Sequence, residues 1–412
     1  MALIPRHIRP QLVDALGEAR VACLLGARQS GKSTLVQAIA GEEHPARYVT
    51  LDDPAALETA KADPAGFVAG EGRLAIDEIQ RAPELMLAIK RVVDDDPTRG
   101  RFLLTGSANI VTHPRIADSL PGRVDYLTLW PFSQAELAES STTVLGDAFL
   151  GEPPEAKDPP TGREGYVERI VRGGFPEVVG SSGARRQRFF AGYVDSILGR
   201  EIEELGSVRD HEAAARVIRL AAARSAALVN LSSIGQELGI DHKTVGNHLR
   251  SLEQLFLLIR LPAWHANLGH RVVRSPKLHI ADTGLLCSLI GAEPDRLIGD
   301  GGIAGSVFET FAVTEVIRMV DASDLAPQIR PHHYRDQRGH EVDLVLERPN
   351  GDVVGIEVKA SSTPRARDAS GLALMRDALG KRFRLGLVLH TGPDTIPLGD
   401  RIWATPLAAL WT

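Results

Sequence analysis

The stretch that most constrains this chain is Gly26-Ala27-Arg28-Gln29-Ser30-Gly31-Lys32-Ser33, followed by Thr34. It fits the pattern G-x-x-x-x-G-K-[ST] at every position. An apolar run at 21–27 precedes it and a helical pattern at 33–40 follows. Glycines let such a backbone curl until its amide N–H groups face phosphate oxygens. The helix N-terminus adds the positive end of its dipole. The spacing predicts that residues 26–34 cradle ATP, with Lys32 on the β- and γ-phosphates and Ser33 on Mg2+.

A second apolar run, Leu74-Ala75-Ile76, delivers Asp77 and Glu78. Asp77 is expected on the Mg2+ side, directly or through a water, and Glu78 as the base that polarises the attacking water. This pairing points to an ATPase with its own catalytic glutamate. Thr105-Gly106-Ser107-Ala108-Asn109 ends another apolar run. Ser107, and after it Asn109, is expected near the γ-phosphate or the lytic water; a plain turn is the competing reading. Arg123 reads either as an arginine finger, in cis or from a neighbouring subunit, or as a surface ion pair.

Short apolar runs at 21–27, 48–51, 74–76, 102–105 and 126–129 alternate with helical patterns, which predicts a parallel sheet covered by helices. The stretch 139–165 is rich in Pro, Gly, Ser, Thr and Glu and reads as a loop or linker. Residues 166–227 read as helical, interrupted by a turn at Gly173-Gly174-Phe175-Pro176. Beyond them, 231–240 and 241–261 read as helix, glycine turn and helix, with Asp241 as the second helix's N-cap.

With 412 residues the chain is long enough for two to three domains. Apolar residues make up 43% and charged residues 24%, as in ordinary globular proteins. No apolar run approaches the roughly 18 residues of a membrane span, and the first ten residues lack the apolar core of a secretory signal. Two cysteines, Cys23 and Cys287, make no disulfide framework, so a reducing cytoplasm is expected. A net charge of −6 argues against a whole-molecule polyanion binder. Between 212 and 280, however, nine Lys/Arg face four Asp/Glu, net +5, which permits local nucleic-acid contact. The second helix there is expected to display His242, Lys243, Thr244, Asn247, His248 and Arg250 to phosphates or base edges. The same pattern also fits a module that packs only against protein.

Several of these motifs carry a resemblance. Gly26 to Thr34, Leu51-Asp52-Asp53, Asp77-Glu78-Ile79-Gln80-Arg81, Thr105-Gly106-Ser107, Gly122-Arg123, Gly173-Gly174-Phe175-Pro176-Glu177 and Ile280-Ala281-Asp282-Thr283-Gly284-Leu285 resemble prokaryotic AAA-type ATPases with an uncharacterised nuclease-like C-terminal part. That resemblance implies an α/β chain in three parts: a P-loop AAA-type core at 1–150, a helical lid with a winged helix-turn-helix at 166–265, and a nuclease-like domain at 266–412. It also implies ring assembly as a possible homo-oligomer.

In the last part, Asp343 lies on one strand-like run, with Glu357 and Lys359 two apart on the next. Alternate strand residues share a face, so the three side chains can meet. Two carboxylates can hold Mg2+ while the lysine positions water, with Glu309 on the preceding helix as a further ligand. This resembles the Asp … Glu-x-Lys motif of the restriction-endonuclease-like superfamily. Ordinary cross-strand Glu–Lys pairing is the bland alternative. Two functions follow: an ATPase controlling a DNA-cutting domain, or an ATP-switched protein whose nuclease-like fold only binds nucleic acid or a protein partner.

Overall fold

A computed structural model describes residues 3–106, 122–141, 143–157, 162–204, 211–264, 275–299 and 301–412. Ser107 and Asn109 lie outside them.

The apolar runs of the first third become five strands: β1 (Val21–Leu25), β2 (Arg47–Thr50), β3 (Leu74–Asp77), β4 (Phe102–Gly106) and β5 (Val124–Thr128). They form one parallel sheet in the order β2-β3-β4-β1-β5. All residues of β1, β3 and β4 are buried, whereas the edge strands β2 and β5 are partly exposed. Successive residues of β1 feed opposite faces: Val21, Cys23 and Leu25 join one apolar cluster, Ala22 and Leu24 another. Because β4 lies between β1 and β3, its C-terminal end sits between the glycine loop and Asp77.

The stretch 139–165 is not all loop. Helix Val144–Leu150 buries Phe149 and ends at Gly151 with φ +88°. Arg348 stacks 4.0 Å over the Phe149 ring, and Arg384 Nε donates to its carbonyl. Seven residues among turn formers are too few to show a helical period, but they suffice to cap the C-terminal sheet.

Helices Gly162–Arg172, Gly183–Glu204, His211–Ala223, Leu231–Leu238 and His242–Gln254 follow. Asp241 caps the last of these, accepting from the amides of Lys243 and Thr244. Gly239, at φ +69°, makes the turn before it. Ile234, Val245, Leu249 and Leu252 are buried between the helices. An antiparallel pair, β6 (Leu258–Leu261) and β7 (Lys277–Ile280), completes this unit. His248, expected at the surface, is only 2% exposed. It stands on the same face as Val245, Leu249 and Leu252 and cannot touch a nucleic acid from there. His242, Lys243 and Arg250 are exposed.

Helix Gly301–Asp321 leads into a six-stranded sheet. Strands β8 (Arg330–Arg335), β9 (Glu341–Glu347) and β10 (Val353–Val358) are antiparallel. Helix Ser370–Leu379 then carries the chain to β11 (Phe383–His390), parallel to β10. The short β12 (Ile396–Gly399) and β13 (Ile402–Pro406) close the far edge. No helix among the described residues is long and apolar enough to cross a membrane.

Candidate functional site

At the end of β1 the chain turns sharply. A Cβ on Gly26 would stand 2.2 Å from the Leu129 carbonyl oxygen, so only glycine lets the loop run against β5. Gln29 (φ +60°) and Gly31 (φ +98°) complete the curl, and helix Lys32–Gly41 starts at Lys32. The Lys32 ammonium is 5% exposed and donates to the Gly26 and Ala27 carbonyls at 3.0 and 2.9 Å. Ser33, half-buried, stands in the first turn beside Thr34.

Asp77 ends β3 at 3% exposure, held from two sides. Tyr48 of β2 donates to Oδ2 at 2.9 Å, and Thr105 of β4 donates to Oδ1. Burial, and then the Asp77 bond, push the Tyr48 phenol up to about 12. The Thr105 hydroxyl also accepts the Glu78 amide at 3.0 Å. Glu78 adopts φ +60°, rare for a residue with a side chain, and Gln80 Nε2 donates to its carboxylate. One threonine thus fixes both acidic residues. The Asp52 carboxylate pairs with Arg81, tying the turn after β2 to the turn after β3.

Oxygen donors such as Ser33 and Asp77 suit Mg2+, and the curled backbone with its buried lysine suits a nucleotide's phosphates. Here the residues present fit both groups.

Two further residues grip the loop's backbone, and a third lies against it. Arg6 Nη1 donates to the Ser30 carbonyl at 2.8 Å while its Nε pairs with Glu136 at 3.0 Å. Burial lowers the Arg6 pKa, against the raising effect of Glu136. Tyr193 donates to the Arg28 carbonyl at 3.0 Å. Pro176 lies close to Gly31, which brings the Gly-Gly-Phe-Pro turn onto the loop. Gly173 packs so tightly on Asp282 and Gly284 that a Cβ would clash with both. These residues were not singled out from sequence as part of the nucleotide site.

Arg123 is not a finger in cis. Its carbonyl accepts the Val21 amide at the N-terminal end of β1, and its side chain pairs with Asp94. The glycine loop leaves the other end of that five-residue strand, roughly 16 Å away at ~3.3 Å per residue.

The C-terminal carboxylates do converge. Continuing the register by one residue from Ile356 opposite Leu344 sets Glu357 across from Asp343. The Asp343 Oδ2 accepts the Val358 amide at 2.9 Å. Lys359 pairs with Glu357 Oε1 at 2.6 Å. Glu357 Oε2 is buried without a partner among the described residues. Burial, and then the facing Asp343, push the Glu357 carboxyl up to about 8; the same two causes raise Glu309 well above the usual range.

A residue that the sequence offers only as one of the nine basic residues of the middle segment occupies the middle of this group. Lys277, 1% exposed on β7, bonds Glu309 Oε1 at 2.6 Å, Glu341 Oε1 at 2.5 Å and Asp343 Oδ1 at 3.0 Å. Carboxylate oxygens suit Mg2+ in kind. Here those of Glu309 and Asp343 that were expected to bind it already hold an ammonium. Among the described residues no group of three or more His, Cys, Asp or Glu is placed to hold a metal ion. As arranged, Glu309, Asp343 and Glu357 do not fit a metal alongside Lys277.

Residues 18–138 match the family described as an AAA domain. With the parallel sheet and glycine loop, this match supports a P-loop ATPase core and, in general terms, ATP binding and hydrolysis. Residues 163–296 and 304–410 match two domains of unknown function, DUF8612 and DUF4143. Uncharacterized proteins of Mycobacterium bovis and Mycobacterium tuberculosis are each 27% identical over 414 residues, covering 100% of this chain and 86% of theirs. Among solved structures, a Walker-type ATPase of Pyrococcus abyssi is 18% identical, with a TM-score of 0.44, over 70% of this chain and 96% of its own. The Thermotoga maritima RuvB Holliday junction branch migration motor is 21% identical, with a TM-score of 0.28, over 62% and 89%. At these scores the structural likenesses bear on neither site nor activity.

Proposed function

We propose that this chain is a Mg2+-dependent ATP hydrolase whose nucleotide state switches a nucleic-acid-binding action of its middle and C-terminal parts. The observation that carries the ATPase reading is Thr105, which locks Asp77 and Glu78 in one hydrogen-bonded unit beside the glycine loop. Lys32 and the loop amides bind and orient the phosphates; Ser33 and Asp77 would hold Mg2+, which would neutralise charge on the phosphates. Glu78 takes a proton from the attacking water. Lys32→Ala should abolish the nucleotide-dependent rise in melting temperature, whereas Glu78→Gln should keep it and lose turnover. A protein whose melting temperature ignores ATP and Mg2+ refutes the reading.

The division into an ATPase core at 1–150, a helical and winged helix-turn-helix unit at 166–265 and a nuclease-like domain at 266–412 belongs to this proposal. The three-helix unit followed by β6 supports its middle term, though the ribbon's second strand, β7, falls beyond residue 265. Helix 301–321, three antiparallel strands, helix 370–379 and a parallel strand support its last. Arg123, far from its own loop, serves a phosphate only in a neighbouring copy; a monomer with full turnover in light scattering removes it from the site.

For the C-terminal part we favour binding over cutting, because Lys277 stands among the carboxylates that cutting requires. Linear, single-stranded and branched DNA, and RNA, incubated with Mg2+ or Mn2+ should stay intact with and without ATP. Cleavage that Asp343→Asn abolishes would restore the nuclease reading.

A further inference from the structure

The C-terminal group contains four acids, Glu309, Glu341, Asp343 and Glu357, drawn from a helix and two strands. Its central cation comes from a fourth element outside that sheet. Lys277 opens β7, paired with Leu261 across the ribbon and bridged on its other side to Leu228. The ribbon is itself fastened to the sheet. Trp264 N donates to the His333 carbonyl at 2.6 Å, and His333 N donates to the Pro262 carbonyl at 2.9 Å. His333 Nε2 lies 3.1 Å from the Ser275 carbonyl oxygen, two residues before the lysine. Backbone pairing on both sides therefore sets where this ammonium goes; a loosely tethered surface lysine would not be so confined.

We propose that Lys277 is the resident cation of the C-terminal carboxylate cluster and excludes divalent metal from it, so that this site fastens the β6–β7 ribbon to the sheet. The proposal rests on the preference for binding over cutting stated above, and deepens it. An ammonium at 2.5–3.0 Å from three carboxylates takes up oxygens that Mg2+ or Mn2+ would need. A metal and a buried ammonium cannot share those oxygens without repelling each other at short range. Lysine also brings its own tether, so the cation cannot be lost to chelators or dilution.

The test is Mn2+ binding to the nucleotide-free full-length chain, read by the quenching of the Mn2+ electron paramagnetic resonance signal. Wild type should bind no Mn2+ that depends on Asp343. Lys277→Met, which keeps an unbranched stem and removes the charge, should bind one Mn2+ at least about tenfold more tightly, since Glu309 and Asp343 lose the ammonium they share. The double variant with Asp343→Asn should lose that site. Lys277→Met should melt below wild type and recover when Mn2+ is added; Lys277→Arg should bind no Mn2+. A wild-type Mn2+ site abolished by Asp343→Asn would overturn the proposal, as would a folded Lys277→Met that binds no more Mn2+ than wild type. Should Lys277→Met fail to fold even with Mn2+, the wild-type and Asp343→Asn titrations still decide. None of these readouts depends on ATP turnover, so failure here leaves the ATPase reading standing, and the reverse.

Discussion

Thr105 offers the most direct test of how the nucleotide site is built. Its side chain is wholly buried, and its single hydroxyl donates to Asp77 while accepting from the Glu78 amide. Thr105→Val keeps nearly the same shape and deletes both bonds. A hydrogen bond to a charged group is worth about 1.5–3 kcal/mol, and a buried amide left without an acceptor costs about 1–3 kcal/mol. One hydroxyl serves both, so the terms overlap, and about 2–4 kcal/mol of stability should be lost. The effect on turnover should be separate and larger than that on binding. The loop amides and Lys32 are untouched, so nucleotide affinity should change little. Asp77 and Glu78 lose the strut that fixes their angle, and a lost orienting partner typically costs 10–100-fold in activity. The assay pairs phosphate release with nucleotide-dependent melting, and Thr105→Ser, which restores the hydroxyl, should recover both. Wild-type turnover in Thr105→Val would refute the argument, as would a loss of turnover matched by an equal loss of nucleotide affinity.

Two other outcomes follow from buried or exposed charge. Burial pushes the Asp321 carboxyl up to about 6, against the bond it accepts from Trp130. The folded state therefore keeps a proton that the unfolded chain releases near pH 4, and the stability this carboxyl contributes is lost as pH climbs from about 4 to 6. Asp321→Asn can still accept from Trp130, so in pH-dependent denaturation it should gain up to ~3 kcal/mol above pH 6 and nothing below pH 4. In the basic middle segment Lys277 is buried, while Arg224 and Arg260 pair with Glu237 and Glu253. Among the described residues Arg216, Arg219, Lys243 and Arg250 remain exposed; Arg271 and Arg274 lie outside them. Four phosphate contacts predict a salt slope near −3.6, and Lys243→Ala or Arg250→Ala should each lower it by about 0.9 in filter binding. A flat slope would favour a protein partner.

What could be read in the sequence was what lies close together along the chain. The glycine loop is contiguous, and backbone conformation alone builds it. Asp77-Glu78 is legible because a strand end must present whatever follows it. Tyr48 and Thr105 come from two other strands, and no spacing relates them to Asp77. Lys277 is 32 residues from Glu309 and 66 from Asp343, a separation that only the folded ribbon closes. One misplacement, His248, and one choice left open, Arg123, did leave signals. Position 248 falls in step with 245, 249 and 252, a buried helical stripe that its polarity disguised. Arg123 comes just before an apolar run, and in a parallel sheet that places it at the end away from the nucleotide.

The apolar cluster that takes in Ala27 of the glycine loop also takes in Phe175, Leu285, Phe311 and Trp411, the last but one residue of the chain. The apolar wall beside the glycine loop is thus supplied by segments far apart in sequence. Such a core does not come apart into transplantable pieces. A fragment cut at residue 150 would carry every phosphate-binding residue of the loop and expose the apolar face that keeps the loop in place. Shortening the C-terminus by a few residues removes Trp411 from between Tyr166 and Phe311, whose rings it meets edge-on at 5.9 Å each. Loss of the Trp411 ring should therefore register at the glycine loop, far away in sequence.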